Sequence, residues 1–251
     1  IINIAQGDLV ILGGYIAYFM YLYGIHPAWG VIVSPIIMFF VGIAIYKLVI
    51  NKVVDRDLFI SILATFGMSF ILIGIMISIE GGFFAYKYLS EPLQILGSTT
   101  SLNRLLAFVI AALISVALYL WLNHSRPGVA VRAVAVSTEA SGLVGINVPR
   151  VSALAFALGG TITAVGGALI STFITLDASI GVVFTLKALI IVIMGGVGEV
   201  RGSIIAAGIL GIVETGVATL VDPGLTLASA YLIFILILLF RPQGLFGKST
   251  T

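Results

Sequence analysis

The run LFISILATFGMSFILIGIMISI, residues 58–79, contains no charged residue and is long enough to cross a lipid bilayer. A membrane-spanning α-helix needs roughly 20 consecutive apolar residues, because each residue adds about 1.5 Å along the helix axis. The run does not alternate between polar and apolar residues, as a strand of a membrane β-barrel would. It therefore predicts a spanning helix, and it sets the criterion for the rest of the chain.

The whole chain follows the same pattern. It is 61% hydrophobic and 9% charged, whereas about a quarter of the residues of a soluble domain are charged. Its mean hydropathy is +1.26. The length criterion predicts six clear spans, at 28–48, 58–79, 101–122, 151–173, 203–221 and 224–240. Two shorter apolar runs, at about 9–23 and 184–194, predict half-helices or broken helices. We predict an all-α, polytopic transmembrane bundle that forms a single domain over residues 1–251.

The lysines and arginines give an orientation, since the cytoplasmic loops of membrane proteins collect them. Placing 49–57 in the cytoplasm leaves 80–100 and 174–187 outside, and puts 123–150, 195–202 and the tail inside. Nine basic residues then lie on the cytoplasmic side, namely Lys47, Lys52, Arg56, Arg126, Arg132, Arg150, Arg201, Arg241 and Lys248. Three lie outside, namely Lys87, Arg104 and Lys187.

One long segment between two apolar runs is suited to water. RPGVAVRAVAVSTEASGLVGINVPR, residues 126–150, is rich in small residues and lightly charged. Ala130 to Val144 predict a short helix on which Arg132 and Glu139 share a face, and Gly142 and Gly145 mark its end. A simple connector needs only a few residues, so the length of this segment favours a docking element over a bare loop.

An acid deep in one apolar run and glycines that interrupt others are typical of a transport path. Glu214, within GILGIVETGVATL, either faces a cavity or is hydrogen-bonded to a neighbouring helix. MGGVGEVRGS, residues 194–203, is either a tight turn between packed helices or a turn that lines a path. QGDLVILGGYIAYF at 6–19 and RGSIIAAGILGIVE at 201–214 share their glycine spacing. The candidate path residues are Asn3, Gln6, Gly7, Gly195, Gly196, Gly198 and Glu214.

Several classes of function are disfavoured by the residues that the chain lacks. It has no cysteine, which excludes disulfides and thiolate metal sites, and its two histidines, His26 and His124, flank apolar runs. The spans contain no Ser/His set and no paired carboxylates. We therefore expect neither an enzyme nor a metal or cofactor site.

The motifs resemble one family of membrane proteins. STEASGLVGI has the pattern Glu-Ala-small, then three residues, then glycine, of the cytoplasmic loop by which ABC-importer permeases engage their ATPases. More specifically, RAVAVSTEASGLVGINVPRVSALAF, KALIIVIMGGVGEVRGSIIAAGILGIVE, NIAQGD and RPQGLFG are similar to the Liv-type permeases of high-affinity branched-chain amino acid importers. The likeness covers essentially the whole chain. Members of the family carry one more hydrophobic helix before their counterpart of NIAQGD, so we expect that the start is truncated.

The resemblance implies a permease without chemistry of its own, in the plasma membrane of a prokaryote. It implies four kinds of partner: membrane lipid, cytoplasmic ATP-binding cassette subunits, a second permease that is similar or identical, and an extracytoplasmic solute-binding protein. No nucleic acid is implied. Residues 126–150 would then couple ATP hydrolysis to transport through Arg132, Glu139, Ala140, Ser141 and Gly145.

Two other functions stay open at this point. The same family includes permeases for urea and short amides, which share the fold and these loops. A passive channel or an ion-coupled carrier would need no ATPase, and the length of 126–150 argues against it.

Overall fold

A computed structural model describes residues 3–54, 58–80, 82–86, 88–95, 98–241 and 243–247. Among these residues, seven helices are long and apolar enough to span a membrane, and six of them confirm the six predicted spans. The chain divides into two compact units, Ile1–Thr185 and Leu186–Thr251, which are described separately here. The division does not test the single domain expected from the sequence, which stays a prediction.

The elements follow one another as helices with a few short strands. The helices are α1 Gln6–Leu22, α2 Ala28–Ile45, α3 Asn51–Val53, α4 Leu58–Glu80, α5 Leu102–His124, α6 Arg126–Val136, α7 Thr138–Leu143, α8 Val148–Ile170, α9 Gly181–Gly195, α10 Val200–Leu220 and α11 Thr226–Phe240. A π-helical turn, Tyr46–Ile50, joins α2 to α3, and 3-10 turns at Ala178–Ile180 and Pro223–Leu225 precede α9 and α11. The strands are β1 Phe83–Phe84, β2 Pro92–Ile95, β3 Ser98–Ser101 and β4 Leu176–Asp177.

The two short apolar runs are continuous helices. The run at 9–23 lies in α1, an unbroken helix of 17 residues. The sequence predicts a half-helix at 184–194, whereas α9 and the 3-10 turn before it form a span of 18 residues, Ala178–Gly195. Thr185 and Lys187 do not end this helix, because each polar group has a partner: the Thr185 hydroxyl donates to the Ile4 carbonyl, and Lys187 forms an ion pair.

In the first unit, α1, α2 and α8 pack closely through small residues. A Cβ added to Gly42 of α2 would lie 2.8 Å from the Cα of Ala157 in α8. A Cβ on Gly30 of α2 would lie 2.7 Å from the Cβ of Ala17 in α1. Lipid chains are as apolar as the helices, so close van der Waals contact between backbones is a main source of helix association in membranes. These small residues therefore set the distances between the three helices.

Two strands and a group of rings close one end of the first unit. β1 pairs antiparallel with β4, with Phe83 opposite Asp177 and Phe84 opposite Leu176. The ring centroids of Phe84 and Tyr15 are 4.3 Å apart, and the Tyr15 hydroxyl donates to the carbonyl of Met76. The segments that follow α4 and α8 are thus held together beside α1.

The second unit has its own apolar core. The buried residues of this core are Ile190, Met194, Ala206, Leu210 and Ala230, from α9, α10 and α11. The Leu245 amide donates to the Met194 carbonyl at 2.7 Å, which ties the segment after α11 to the end of α9.

Candidate functional site

The segment between α5 and α8 folds into two short helices, α6 and α7. The prediction of one helix from Ala130 to Val144 is wrong, because Ser137 is extended, with φ −155° and ψ 112°. Its hydroxyl accepts a hydrogen bond from the Ala140 amide at 3.2 Å and so starts α7 as an N-cap. Arg132 and Glu139 consequently lie on different helices and do not share a face.

The end of α7 is a glycine turn. Gly145 has φ +84°, and its amide donates to the Gly142 carbonyl at 3.1 Å. The next amide, that of Ile146, donates to the Ser141 carbonyl at 3.0 Å, which completes a Schellman motif. A Cβ at Gly145 would meet no atom of the described residues within 4 Å. Within the chain, therefore, Gly145 is required by the backbone conformation and not by a close neighbour.

Large apolar side chains of this segment face outward. Leu143 is 90% exposed, Val136 88% and Val144 76%. Of the predicted coupling residues, Glu139, Ala140 and Gly145 are exposed and Ser141 is buried. The Arg132 guanidinium is exposed too, but it donates to Oδ1 of Asn123 at 2.8 Å and so links α6 to the last turn of α5.

Three predicted path residues meet at the start of α1. The Gln6 amide donates to the Thr163 hydroxyl of α8 at 2.6 Å, and the Asn3 amide donates to Oε1 of Gln6 at 3.1 Å. The Gly7 backbone amide donates to the Thr185 hydroxyl of α9 at 2.8 Å. The first amides of a helix have no partner within it, so this network gives α1 a polar beginning that is satisfied by neighbouring helices.

The three other predicted glycines form the turn from α9 to α10. A Cβ at Gly195 would lie 2.7 Å from the Cα of Ser203, so that the two helices touch at their backbones. Gly196 and Gly198 have φ of +99° and +86°. The Glu199 amide donates to the Gly196 carbonyl at 3.1 Å, which closes the turn. The tight-turn interpretation accounts for all three glycines, and their place on a path stays a prediction.

Glu214 has a partner of opposite charge. Nζ of Lys187 lies 2.8 Å from Oε1 and 2.9 Å from Oε2 of Glu214, with the two side chains 30% and 20% exposed. Lys187 is in α9, inside the span Ala178–Gly195, and not in an outside loop where the orientation count places it. That count also includes Arg56, Lys87 and Lys248, which lie outside the described residues.

A cavity of about 700 Å³ lies at the N-terminal end of α5 and the C-terminal end of α8, opposite to the ends that carry α6 and α7. Asn103 donates to the carbonyls of Tyr88 and Thr172, both at 3.1 Å. Arg104 lies 5.8 Å from the ring centroid of Phe173. The cavity is lined by Tyr21, Ala85, Tyr86, Ser90, Ser101, Asn103, Arg104, Thr172, Phe173, Ile174 and Thr175.

Comparison with protein families gives one family model that matches residues 1–240, described as the branched-chain amino acid transport system permease component. The chain belongs to this permease family. With seven candidate spans among its described residues, the permease is a multi-pass protein of the cell membrane.

The relatives of this permease come from bacteria and an archaeon. The high-affinity branched-chain amino acid transport system permease protein LivH of Salmonella typhimurium is 28% identical over 98% of this chain and 86% of its own. The corresponding BraD protein of Pseudomonas aeruginosa is 26% identical over the same shares. A probable LivH of Methanocaldococcus jannaschii is 26% identical over 85% of this chain and 70% of its own. No solved structure matches the permease.

Two features of the permease, Lys187 and the cavity, were not predicted from its sequence. Lys187 had a readable signal, because an intramembrane charge calls for a partner and Glu214 was the acid deep in another run. The cavity at the other end of α5 had none, since Tyr86, Asn103 and Thr172 are far apart along the chain.

Proposed function

We propose that the chain is the permease subunit of an ABC importer for branched-chain amino acids. The observation that carries the proposal is the match of the family model over residues 1–240, with relatives that cover 98% of the chain. In this proposal, separate cytoplasmic ATPase subunits drive transport and an extracytoplasmic binding protein delivers the solute. A second permease subunit, similar or identical, completes the membrane part.

The α6–α7 segment is the coupling element of the proposal. Leu143, 90% exposed, and Val136, 88% exposed, bury little of their surface against the described residues, and they suit the apolar cleft of a partner. Glu139 and Ala140 are exposed beside them, whereas Ser141 and Gly145 shape the end of α7. Coupling requires a contact that differs between two states of the transporter, and this surface is where such a contact would be made.

Short connections join the α6–α7 segment to the spanning helices α5 and α8, so motion of this surface would be passed on to them. Only Ser125 separates α5 from α6, and the bond from Arg132 to Asn123 spans the junction. α7 reaches α8 through four residues that include the Gly145 turn. A displacement of α7 therefore acts on two long spans, α5 and α8, with little slack between them.

In this proposal the residues of the transport path form two groups. Asn3, Gln6 and Gly7 offer neutral amide groups, with Thr163 and Thr185 beside them, in the first unit. Gly195, Gly196, Gly198 and Glu214 lie in the second unit. Neutral hydrogen-bonding groups suit a zwitterion, which carries no net charge through the membrane.

Charge reversal at Glu139 tests the coupling role. The substitution Glu139→Lys should lower the amount of ATPase that copurifies with the permease by about tenfold, equivalent to about 1.4 kcal/mol of binding energy. Glu91→Lys is the matched control, because Glu91 is also exposed but belongs to the segment between α4 and α5. ATPase retention and ATP-dependent leucine uptake are measured in membranes that contain equal amounts of permease. Urea is the control solute in the uptake measurement. Full retention with normal leucine uptake in Glu139→Lys would contradict the coupling role.

A further inference from the structure

The ion pair of Lys187 and Glu214 lies deep among apolar residues. Nine residues of the span Ala178–Gly195 precede Lys187 and eight follow it, so the ammonium group belongs to the middle of its helix. Glu214 lies six residues before the end of α10 at Leu220. Charged groups in such positions are costly and are retained where they serve a function, in most cases facing a cavity or an interface.

The hydrogen bonding of the pair is incomplete. An ammonium group has three donors, and in the part of the chain that the structure describes Lys187 donates one hydrogen bond, to Oε2 of Glu214. Each carboxylate oxygen of Glu214 has two acceptor sites, and Nζ, 2.8 Å from Oε1 and 2.9 Å from Oε2, occupies at most one on each. The ammonium group thus has spare donors and the carboxylate has a spare acceptor.

We propose that Lys187 and Glu214 form the site that takes up the zwitterionic head of the amino acid, an inference that rests on the proposed function. The Lys187 ammonium pairs with the α-carboxylate of the solute, and the Glu214 carboxylate pairs with its α-ammonium group. One ion pair within the protein is replaced by two between protein and solute. No bond is made or broken, and the total charge of the site stays zero.

This exchange explains how charges are tolerated within the span. When the site is empty, the two side chains neutralise each other, and when it is filled, each charge faces one of opposite sign. No step leaves a lone charge in an apolar environment, where it is most costly. An uncharged amide such as urea would separate the pair without replacing either partner, so the site favours zwitterions over neutral solutes.

Apolar residues adjoin the pair on one side. Ile190 lies one helical turn from Lys187, and Leu210 lies one turn from Glu214. Both belong to the core of the second unit, and both lie toward the turn that joins α9 to α10. We expect the aliphatic side chain of the bound solute to lie on this side. Because the α-carbon is chiral, a pair of reversed polarity would hold the same enantiomer with its opposite face toward the two helices.

The alternative role for the pair is a structural one, as a tie between α9 and α10. Three double variants separate the two roles. Lys187→Met with Glu214→Gln removes both charges at similar volume, and Lys187→Glu with Glu214→Lys keeps an ion pair but inverts its polarity. Lys187→Arg with Glu214→Asp keeps both the pair and its polarity, and is the matched control.

The experiment uses the full complex with its ATPases and binding protein in proteoliposomes. Leucine uptake by the unsubstituted complex is measured first, and its absence would contradict the proposed function itself. With uptake established, we expect the conservative variant to retain at least a third of it, and the neutral and inverted variants to lose it at least tenfold while the subunits stay assembled.

Two results would overturn the zwitterion site. One is leucine uptake within about twofold of the unsubstituted level in an assembled neutral or inverted variant. The other is an inverted variant that fails to assemble while the conservative variant assembles, because the polarity of the pair would then serve assembly. If the neutral variant alone fails to assemble, the comparison of the inverted and conservative variants decides the matter.

Discussion

In the core of α1, α2 and α8, Gly42 and Gly167 stand where two helix backbones meet, whereas Gly142 and Gly145, in α7 and the turn after it, stand in open space. A Cβ on Gly42 would lie 2.8 Å from a backbone atom of α8, but a Cβ on Gly142 or Gly145 would meet none of the described atoms within 4 Å. The same residue type therefore sets interhelical distance in one region and backbone shape in the other. Substitutions should accordingly damage folding in the first region. In the second region they should leave folding intact and lower ATPase retention.

The largest effect is expected at Gly167 in α8. Its Cβ would meet the backbone of Val10 and lie 2.9 Å from the Gly14 amide nitrogen, so Gly167→Leu should force α1 and α8 apart. Overpacking of this kind costs about 1–3 kcal/mol or more, and here backbone atoms are in the way. We expect little monodisperse permease after detergent extraction, measured by size-exclusion chromatography. Gly166→Leu is the control, because within the described part of the chain a Cβ there meets nothing within 4 Å. Equal yields of the two variants would show that the backbone contact at Gly167 does not set the distance between α1 and α8.

A smaller effect is expected at Gly145. With φ +84°, a β-branched residue there is strained by about 1–2 kcal/mol, whereas asparagine tolerates this conformation better. Gly145→Val should insert at normal levels, yet retain several-fold less ATPase, because the end of α7 is misplaced. Gly145→Asn should retain most of it. Copurification of the ATPase from membranes with equal permease measures both, and equal retention by Val and Asn would show that backbone conformation is not the reason for this glycine.

The smallest effect is expected at Gly142, within α7. A Cβ there meets nothing within 4 Å, and alanine favours a helix over glycine by up to about 1 kcal/mol. Gly142→Ala should therefore leave ATPase retention and leucine uptake within about twofold of normal. A marked loss of either would indicate that a partner subunit lies against Gly142 in the complex and leaves no room for a side chain.

The parts of the fold that could be predicted are those set by local sequence. The span at 58–79 follows from its length and apolar character, and the end of α7 from Gly142 and Gly145. The break at Ser137 could not be seen, because serine occurs both within helices and at their starts, and its hydroxyl decides between them only through geometry.

The parts of the candidate site that could not be predicted depend on distant residues. Lys187 looked like a loop residue at the edge of a short run, until its pairing with Glu214 across 27 positions showed why the helix continues past it. The hydrogen bond from Gln6 to Thr163 spans 157 positions, and no periodicity in the sequence records it. The roles of the path residues likewise depend on partners that are distant in sequence, and the identity of a single residue does not indicate its partner.

Ser125 and Ser137, which stand at the two ends of α6, are the points at which the segment can bend. α6 and α7 are rigid rods, and Ser125 and Ser137 are single-residue joints between them and α5. The Arg132 bond to Asn123 braces the inner joint, so that α6 follows α5. α7 is about 9 Å long, and a rotation of about 10° at the outer joint moves its far end by about 1.5 Å. In the proposed coupling role, a small turn at Ser137 would fit the end of α7 to a partner, and the braced junction at Ser125 would pass a displacement of α6 on to α5.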